Sequence, residues 1–165
     1  MKRLKTLAIV GTLLSPLGAQ GAFAHEAAGI TLVVAPLEGG AARAARVVDA
    51  FHAALKAGDT TAAAAMISDK AVVYEAGGAE RSKAEYAAGH LAADAAFEKT
   101  AHEQILRRTG DVAGRMAWIV TEGQTETGSG ETHKVRLTTE TMVLEAIHEQ
   151  WRIVHIHWSS RAAKP

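Results

Sequence analysis

The chain contains no cysteine. No disulfide can staple it, so even an exported form must be held together by its core. It has no basic excess either, with 18 acidic residues against 18 basic ones. Three of the basic residues, Lys2, Arg3 and Lys5, fall in the first five positions, so the rest of the chain is mildly acidic. No basic stripe is left to follow a phosphate backbone, and nucleic acid is not an expected partner. The chain has no internal repeat and no apolar run long enough to cross a bilayer, which takes about 20 residues.

What stands at the N-terminus is a short basic leader, Met1-Lys2-Arg3-Leu4-Lys5. An apolar stretch from Thr6 to Leu17 follows, and then the small-x-small triplet Ala22-Phe23-Ala24. That order is a secretory signal with an A-x-A cleavage site. The expectation is a signal peptide at residues 1–24, a mature protein beginning at His25, and a periplasmic or secreted location without a membrane anchor. The remaining residues suit one domain.

Residues 25–40 are irregular and read as a lead-in, with Ile30 to Val34 extended. From Ala41 the period becomes helical: Val47, Val48, Phe51, His52 and Leu55 recur on one face, and Gly58-Asp59 ends the helix. Thr60 or Thr61 caps an alanine-rich helix running through Ile67. After a turn at Ser68-Asp69, Ala71 to Glu75 reads as a short strand ended by Gly77-Gly78. Ser82-Lys83-Ala84-Glu85 is a capping box opening a third helix to about Phe97. Beyond it the period drops to two. Strands are expected at His102 to Thr109, Arg115 to Glu126, His133 to Glu145 and Trp151 to Ser160, with turns at Gly110-Asp111, Gly128-Ser129-Gly130 and around His148-Glu149. Helices followed by antiparallel strands make an α+β fold, in which a sheet curled over the helices encloses a conical cavity.

The stretch Val47 to Asp59, together with Val73-Tyr74-Glu75, resembles the nuclear transport factor 2-like (SnoaL-like) domains. Gly110-Asp111, Ala117-Trp118-Ile119, Glu140-Thr141-x-Val143 and above all Trp151 to Ser159 resemble one member of that superfamily, the association domain of calcium/calmodulin-dependent protein kinase II. The likeness spans residues 41–161, leaving a tail at 162–165. It implies the cone fold and a tendency to form homo-oligomers. It does not imply one activity, because the fold hosts isomerases, dehydratases, cyclases, hydrolases and assembly modules. The association domain has arginines lining its pocket; Val120, Trp158 and Lys134 stand here at three such positions. No motif places the tyrosine and paired aspartates of the superfamily's steroid isomerases.

The candidate residues follow from spacing, except Trp158, whose place in the pocket is what the resemblance implies. Tyr86, His90 and Asp94 are four apart on the third helix and form a polar stripe; facing the cavity, His90 would serve as base with Asp94 as its orienter. Of Tyr74 and Glu75, one must point inward, and a buried Glu75 would have a raised pKa suited to acid–base work. Trp118, Trp158 and Glu140 are candidate ligand contacts, with core packing the alternative for Trp118 and a strand pairing with Arg136 or Lys134 the alternative for Glu140. His155 and His157 share one strand face. With His90 and Asp94 they could bind zinc or copper; alone they could shuttle a proton near neutral pH, face a dimer partner or hydrogen-bond within the sheet. His25 at the mature N-terminus offers a further copper ligand set or a plain terminus.

Three functions follow. The first is a small-molecule pocket protein, an isomerase or lyase that moves a proton without a cofactor, using His90, Glu75 and Tyr86 with Tyr74, Trp118, Trp158 and Glu140 around the ligand. The second is a zinc- or copper-binding module. The third is a non-catalytic homo-oligomeric assembly domain. A homodimer is expected under each.

Overall fold

The computed structural model describes residues 36–164. The expected signal peptide, the Ile30 to Val34 stretch and His25 lie outside the described residues. The described chain opens with helix α1 (Gly39–Ala57), 19 residues long, and α2 (Thr60–Met66). Gly58 ends α1 in the left-handed region at φ 76°, which glycine adopts without a Cβ penalty. The side chain of Asp59 accepts from the Ala62 N–H and caps α2.

Strands β1 (Ile67–Glu75) and β2 (Gly78–Glu80) form a hairpin. The anticipated turn at Ser68-Asp69 is part of β1. Ser82 caps the next helix as expected, accepting from Glu85 N–H, but that helix is short: α3 covers Lys83–Ala88 and α4 covers Leu91–Glu98. The chain breaks at Gly89-His90, so the single helix to Phe97 is corrected to two. Four long strands complete the fold: β3 (His102–Ala113), β4 (Met116–Thr127), β5 (Lys134–Ile147) and β6 (Gln150–Ala162).

The six strands form one sheet in the order β2-β1-β6-β5-β4-β3. Neighbours pair antiparallel except β1 with β6, which run parallel. The sheet is therefore mixed, because β1 arrives from the helical half and docks beside the last strand. Register shifts on β1–β6, β3–β4 and β5–β6 mark bulges, which bend and twist strands. Gly110 lies inside β3 and is no turn: a Cβ there would sit 2.6 Å from Ile119 Cδ1. Its role is close approach to β4.

The inner face of the sheet changes character along the strands. At one end Ala117, Ile119, Met142, Leu144, Ile153 and Ile156 are buried against Val48, Phe51 and Leu55 of α1. Past Ile119 and Met142 the same face carries Thr121, Gly123, Thr125, Thr138 and Glu140 instead. The helices cover only the apolar end. Over the polar end they stand off, and a cavity of about 560 Å³ remains.

Candidate functional site

The cavity is walled by α1 on one side, α4 on another and the polar ends of β3 to β6. Helix α1 buries Phe51 in the core; the next residue, His52, is rotated about 100° further round the helix and reaches the cavity wall. Both of its ring nitrogens meet carboxylates. Nδ1 lies 2.9 Å from Glu98 Oε1 on α4, and Nε2 lies 2.6 Å from Glu140 Oε2 on β5. Glu140 also accepts from the Trp158 indole N–H at 2.8 Å. The Trp158 ring stacks on Phe51 and leans against Tyr86, each at 6.4 Å between centroids.

This arrangement fixes charge. Burial opposes an imidazolium, but the hydrogen bonds to Glu140 and Glu98 and their negative charge carry His52 from 6.5 up to about 10. Burial likewise opposes a charged Glu140, yet His52 and the Trp158 N–H hold its pKa below the usual carboxylate range. At neutral pH His52 is thus a cation donating from both nitrogens to two buried carboxylates. One atom is left over: Glu140 Oε1 is buried and has no hydrogen-bond partner.

The second polar region has the opposite character. Asp94 lines the cavity and accepts from the Tyr86 hydroxyl at 2.6 Å. Tyr86 is fully buried, and burial with the nearby Asp94 charge pushes its pKa upward. The break at Gly89-His90 lets a residue of α3 reach one eight positions on. Burial raises the pKa of Asp94 more than Tyr86 lowers it. Glu75, also on the wall, is raised by burial and by the negative charge of Asp94. No cation is paired with either carboxylate within salt-bridge distance, among the described residues. Two neighbouring carboxylates that both resist ionisation are suited to taking up and releasing a proton.

Of the residues expected at a site, Glu75, Asp94, Trp158 and Glu140 line the cavity and Tyr86 stands directly behind Asp94. Several other candidates fall elsewhere. His90 is not a cavity base. It stands exposed at the helix break, hydrogen-bonded to Glu80, because α3 ends at Ala88 and the four-residue spacing no longer defines a face. Tyr74 and Trp118 are more than two-fifths exposed on the outer sheet face, since the alternation along β1 and β4 turns Glu75, Ala117 and Ile119 inward. Tyr74 packs edge-on to His155 at 5.4 Å between centroids. The set of His155, His157, His90 and Asp94 is not assembled: the first two share the outer face with Tyr74 while Asp94 lines the inner cavity. His155 Nδ1 instead donates to the Val72 carbonyl at 3.2 Å. Glu140 pairs with His52 and Trp158, not with Arg136 or Lys134.

His52, Glu98, Glu103 and Arg108 were missed as site residues. His52 carried a signal, being the polar member of an otherwise apolar helical face. Arg108 lines the cavity, bonds Thr121 Oγ1 at 3.0 Å and pairs with Asp49. Arg136 lines it as well. Arginines are thus present in the cavity, at positions other than Val120, Trp158 and Lys134.

A family model for the SnoaL-like domain matches residues 45–163. A solved structure of a candidate ketosteroid isomerase from Shewanella frigidimarina is 30% identical, with 71% of this chain and 94% of that one covered at a TM-score of 0.65. A candidate calcium/calmodulin-dependent protein kinase II association domain from Xanthomonas campestris is 18% identical, covering 76% and 91% at 0.62. The hub of that kinase from S. rosetta is also 18% identical, covering 76% and 99% at 0.60. At those lower identities the likeness concerns the fold. Among curated proteins no sequence matches.

Proposed function

The chain belongs to the SnoaL-like family, and we propose that it is an exported protein that binds a small molecule in its cavity and moves a proton on it, as an isomerase or lyase does. The observation that carries this reading is the Tyr86–Asp94–Glu75 group: two cavity carboxylates with raised pKa and no paired cation, one of them fixed by a buried hydroxyl. Such a carboxylate accepts a proton from carbon and returns it elsewhere, and that chemistry needs no cofactor. Asp94 is the base in this reading, Tyr86 orients it, and Glu75 supplies the second proton site. Trp158 and Leu55 give the ligand an apolar wall. The likeness to the Shewanella protein supports an isomerase. The leader of residues 1–24 supports export, and a protein recovered outside the cytoplasm should begin at His25.

The test is exchange of the acidic C–H protons of a panel of cyclic ketones and enones in D2O, followed by NMR. Exchange above the buffer rate is expected, with Asp94→Asn slowing it by about 10²-fold or more. Exchange no faster than buffer, or unchanged in Asp94→Asn, would remove the proton-transfer reading.

A second reading has its own observation. Tyr74, Trp118 and Met116 are all at least 40% exposed, and the register of β1, β4 and β6 puts Tyr74 and Trp118 on the outer sheet face. Solved structures of similar fold include association and hub domains. Covering this face with a second copy gives a homodimer, compatible with catalysis or with a purely assembling role. Light scattering should give about twice the monomer mass.

A further inference from the structure

Three ligand-type atoms meet beside Glu140. A ring nitrogen of His52, a Glu98 carboxylate oxygen and a Glu103 carboxylate oxygen lie within 4.8 Å of one another, and Nδ1 is the nitrogen that faces Glu98, at 2.9 Å. They come from three different elements, α1, α4 and β3, so the fold itself brings them together. A metal-bound imidazole nearly always gives its second N–H to a carboxylate, which fixes the tautomer and the ring plane. That partner is already built here. His52 Nε2 faces Glu140 Oε2 at 2.6 Å, and the Trp158 N–H holds the same carboxylate at 2.8 Å. Glu140 is nine-tenths buried, lines the cavity, and its Oε1 has no partner. A buried carboxylate oxygen left open is costly, and Glu140 therefore has acceptor capacity to spare behind His52.

We propose that His52 Nδ1, Glu98 and Glu103 form a site for a divalent transition-metal ion, with Glu140 and Trp158 as positioning residues behind His52. One imidazole with two carboxylates favours a zinc-like ion over magnesium or calcium, which take oxygen ligands. Metal–ligand bonds of about 2.0–2.2 Å in a tetrahedral site put ligand atoms about 3.4 Å apart; His52 Nδ1 and Glu98 Oε1 stand at 2.9 Å, and the Glu103 oxygen lies within 4.8 Å of both. Glu103 is the exposed member and has the freedom to close. The ion replaces the Nδ1 proton, which is released to solvent. Three protein ligands leave a fourth position for water or a ligand atom from the cavity. This inference goes beyond proton transfer at Asp94 and does not depend on it.

The experiment uses the tag-free full chain, stripped with a chelator and then titrated with Zn2+ by calorimetry and with Co2+ by visible absorption. One ion per chain is expected. Glu98→Gln and Glu103→Gln should each weaken binding at least tenfold and remove the Co2+ absorption. Glu140→Gln should cost about 10–100-fold, as loss of an outer partner does. His155→Ala and His157→Ala should bind as the parent does. Glu103 is exposed, so Glu103→Gln tests the site in a folded protein, with circular dichroism as the check. No binding at millimolar Zn2+, binding that survives both glutamate changes, or binding lost in His155→Ala would overturn the proposal. Metal binding without proton exchange on the ketone panel would leave this site standing and remove the proton-transfer reading alone.

Discussion

Glu140 and Asp94 are both carboxylates on the wall of one cavity, and they sit in opposite electrostatic states. Glu140 is the more deeply buried and yet stays ionised, because His52 and Trp158 supply a cation and an N–H. Asp94 is less buried and yet resists ionisation, because its burial outweighs the single hydroxyl that Tyr86 offers it, and its neighbours Glu80 and Glu98 are acidic. Burial alone predicts the reverse order. The difference teaches that partner chemistry decides charge: one carboxylate is committed to holding the structure, the other is held in reserve for a proton.

The strongest way to break the comparison is to remove the cation. His52→Ala leaves Glu98 and Glu140 buried without a counter-charge. It should cost about 3 kcal/mol in urea unfolding, the lower end for breaking a buried pair, since a fifth of the His52 side chain is exposed. A loss below about 1 kcal/mol would reduce the triad to a surface ion pair. Trp158→Phe keeps the ring stack and deletes only the N–H to Glu140. A loss of about 1.5–3 kcal/mol is expected, as for a hydrogen bond to a charged group. Glu140 should then titrate higher by NMR. Because its folded pKa is depressed, its stabilisation is present above the ordinary value and lost as pH falls, so this variant should also lose stability to acid at a higher pH than the parent.

Asp94→Asn sharpens the contrast from the other side. The folded pKa of Asp94 is raised above 3.8, so its contribution is favourable below that pH and is lost as pH rises through the folded value. An amide still accepts from Tyr86 and carries no charge. The variant should therefore be more stable than the parent at pH 7 by about 0.5 kcal/mol, the gain shrinking to nothing near pH 3–4, while proton exchange falls. A melting temperature lowered at pH 7 would show that Asp94 is a structural acid after all. The smallest effect is expected for His90→Ala. Its ring is 65% exposed and its bond to Glu80 is at the surface, so neither the melting temperature nor the exchange rate should change measurably.

The four long strands were legible because a sheet with one buried face writes a period of two, and the glycines at Gly128 and Gly130 mark a true turn. Gly110 misled for a physical reason: a glycine needed for close packing looks the same in sequence as one needed for a turn. The break at Gly89-His90 was hidden because the residues around it keep helical character, and with it went the placing of His90. Parity told correctly which residues of a strand share a face, as with Tyr74 against Glu75, but not which face looks inward. That depends on packing against α1. The His52–Glu98–Glu140 triad spans residues 46 and 88 positions apart, and a pairing so distant has no local signature.

Strand β6 holds one residue more than its pairing with β5 requires. Val143 stands opposite His155 and Leu144 opposite Ile153, so Val154 has no cross-strand counterpart. That surplus residue lets Ile153 and Ile156, an odd number of positions apart, both face the helices. It also marks a seam: before it Ile153 faces the core, and beyond it Ile156 still does while the same face goes on to carry Trp158 into the cavity. Were the seam pulled straight with the core half held in place, every residue beyond it would turn over. His155 and His157 would enter the chamber and Trp158 would leave it. The identity of the chamber's lining is thus a matter of phase, set by a single valine whose own side chain takes no part in the chemistry.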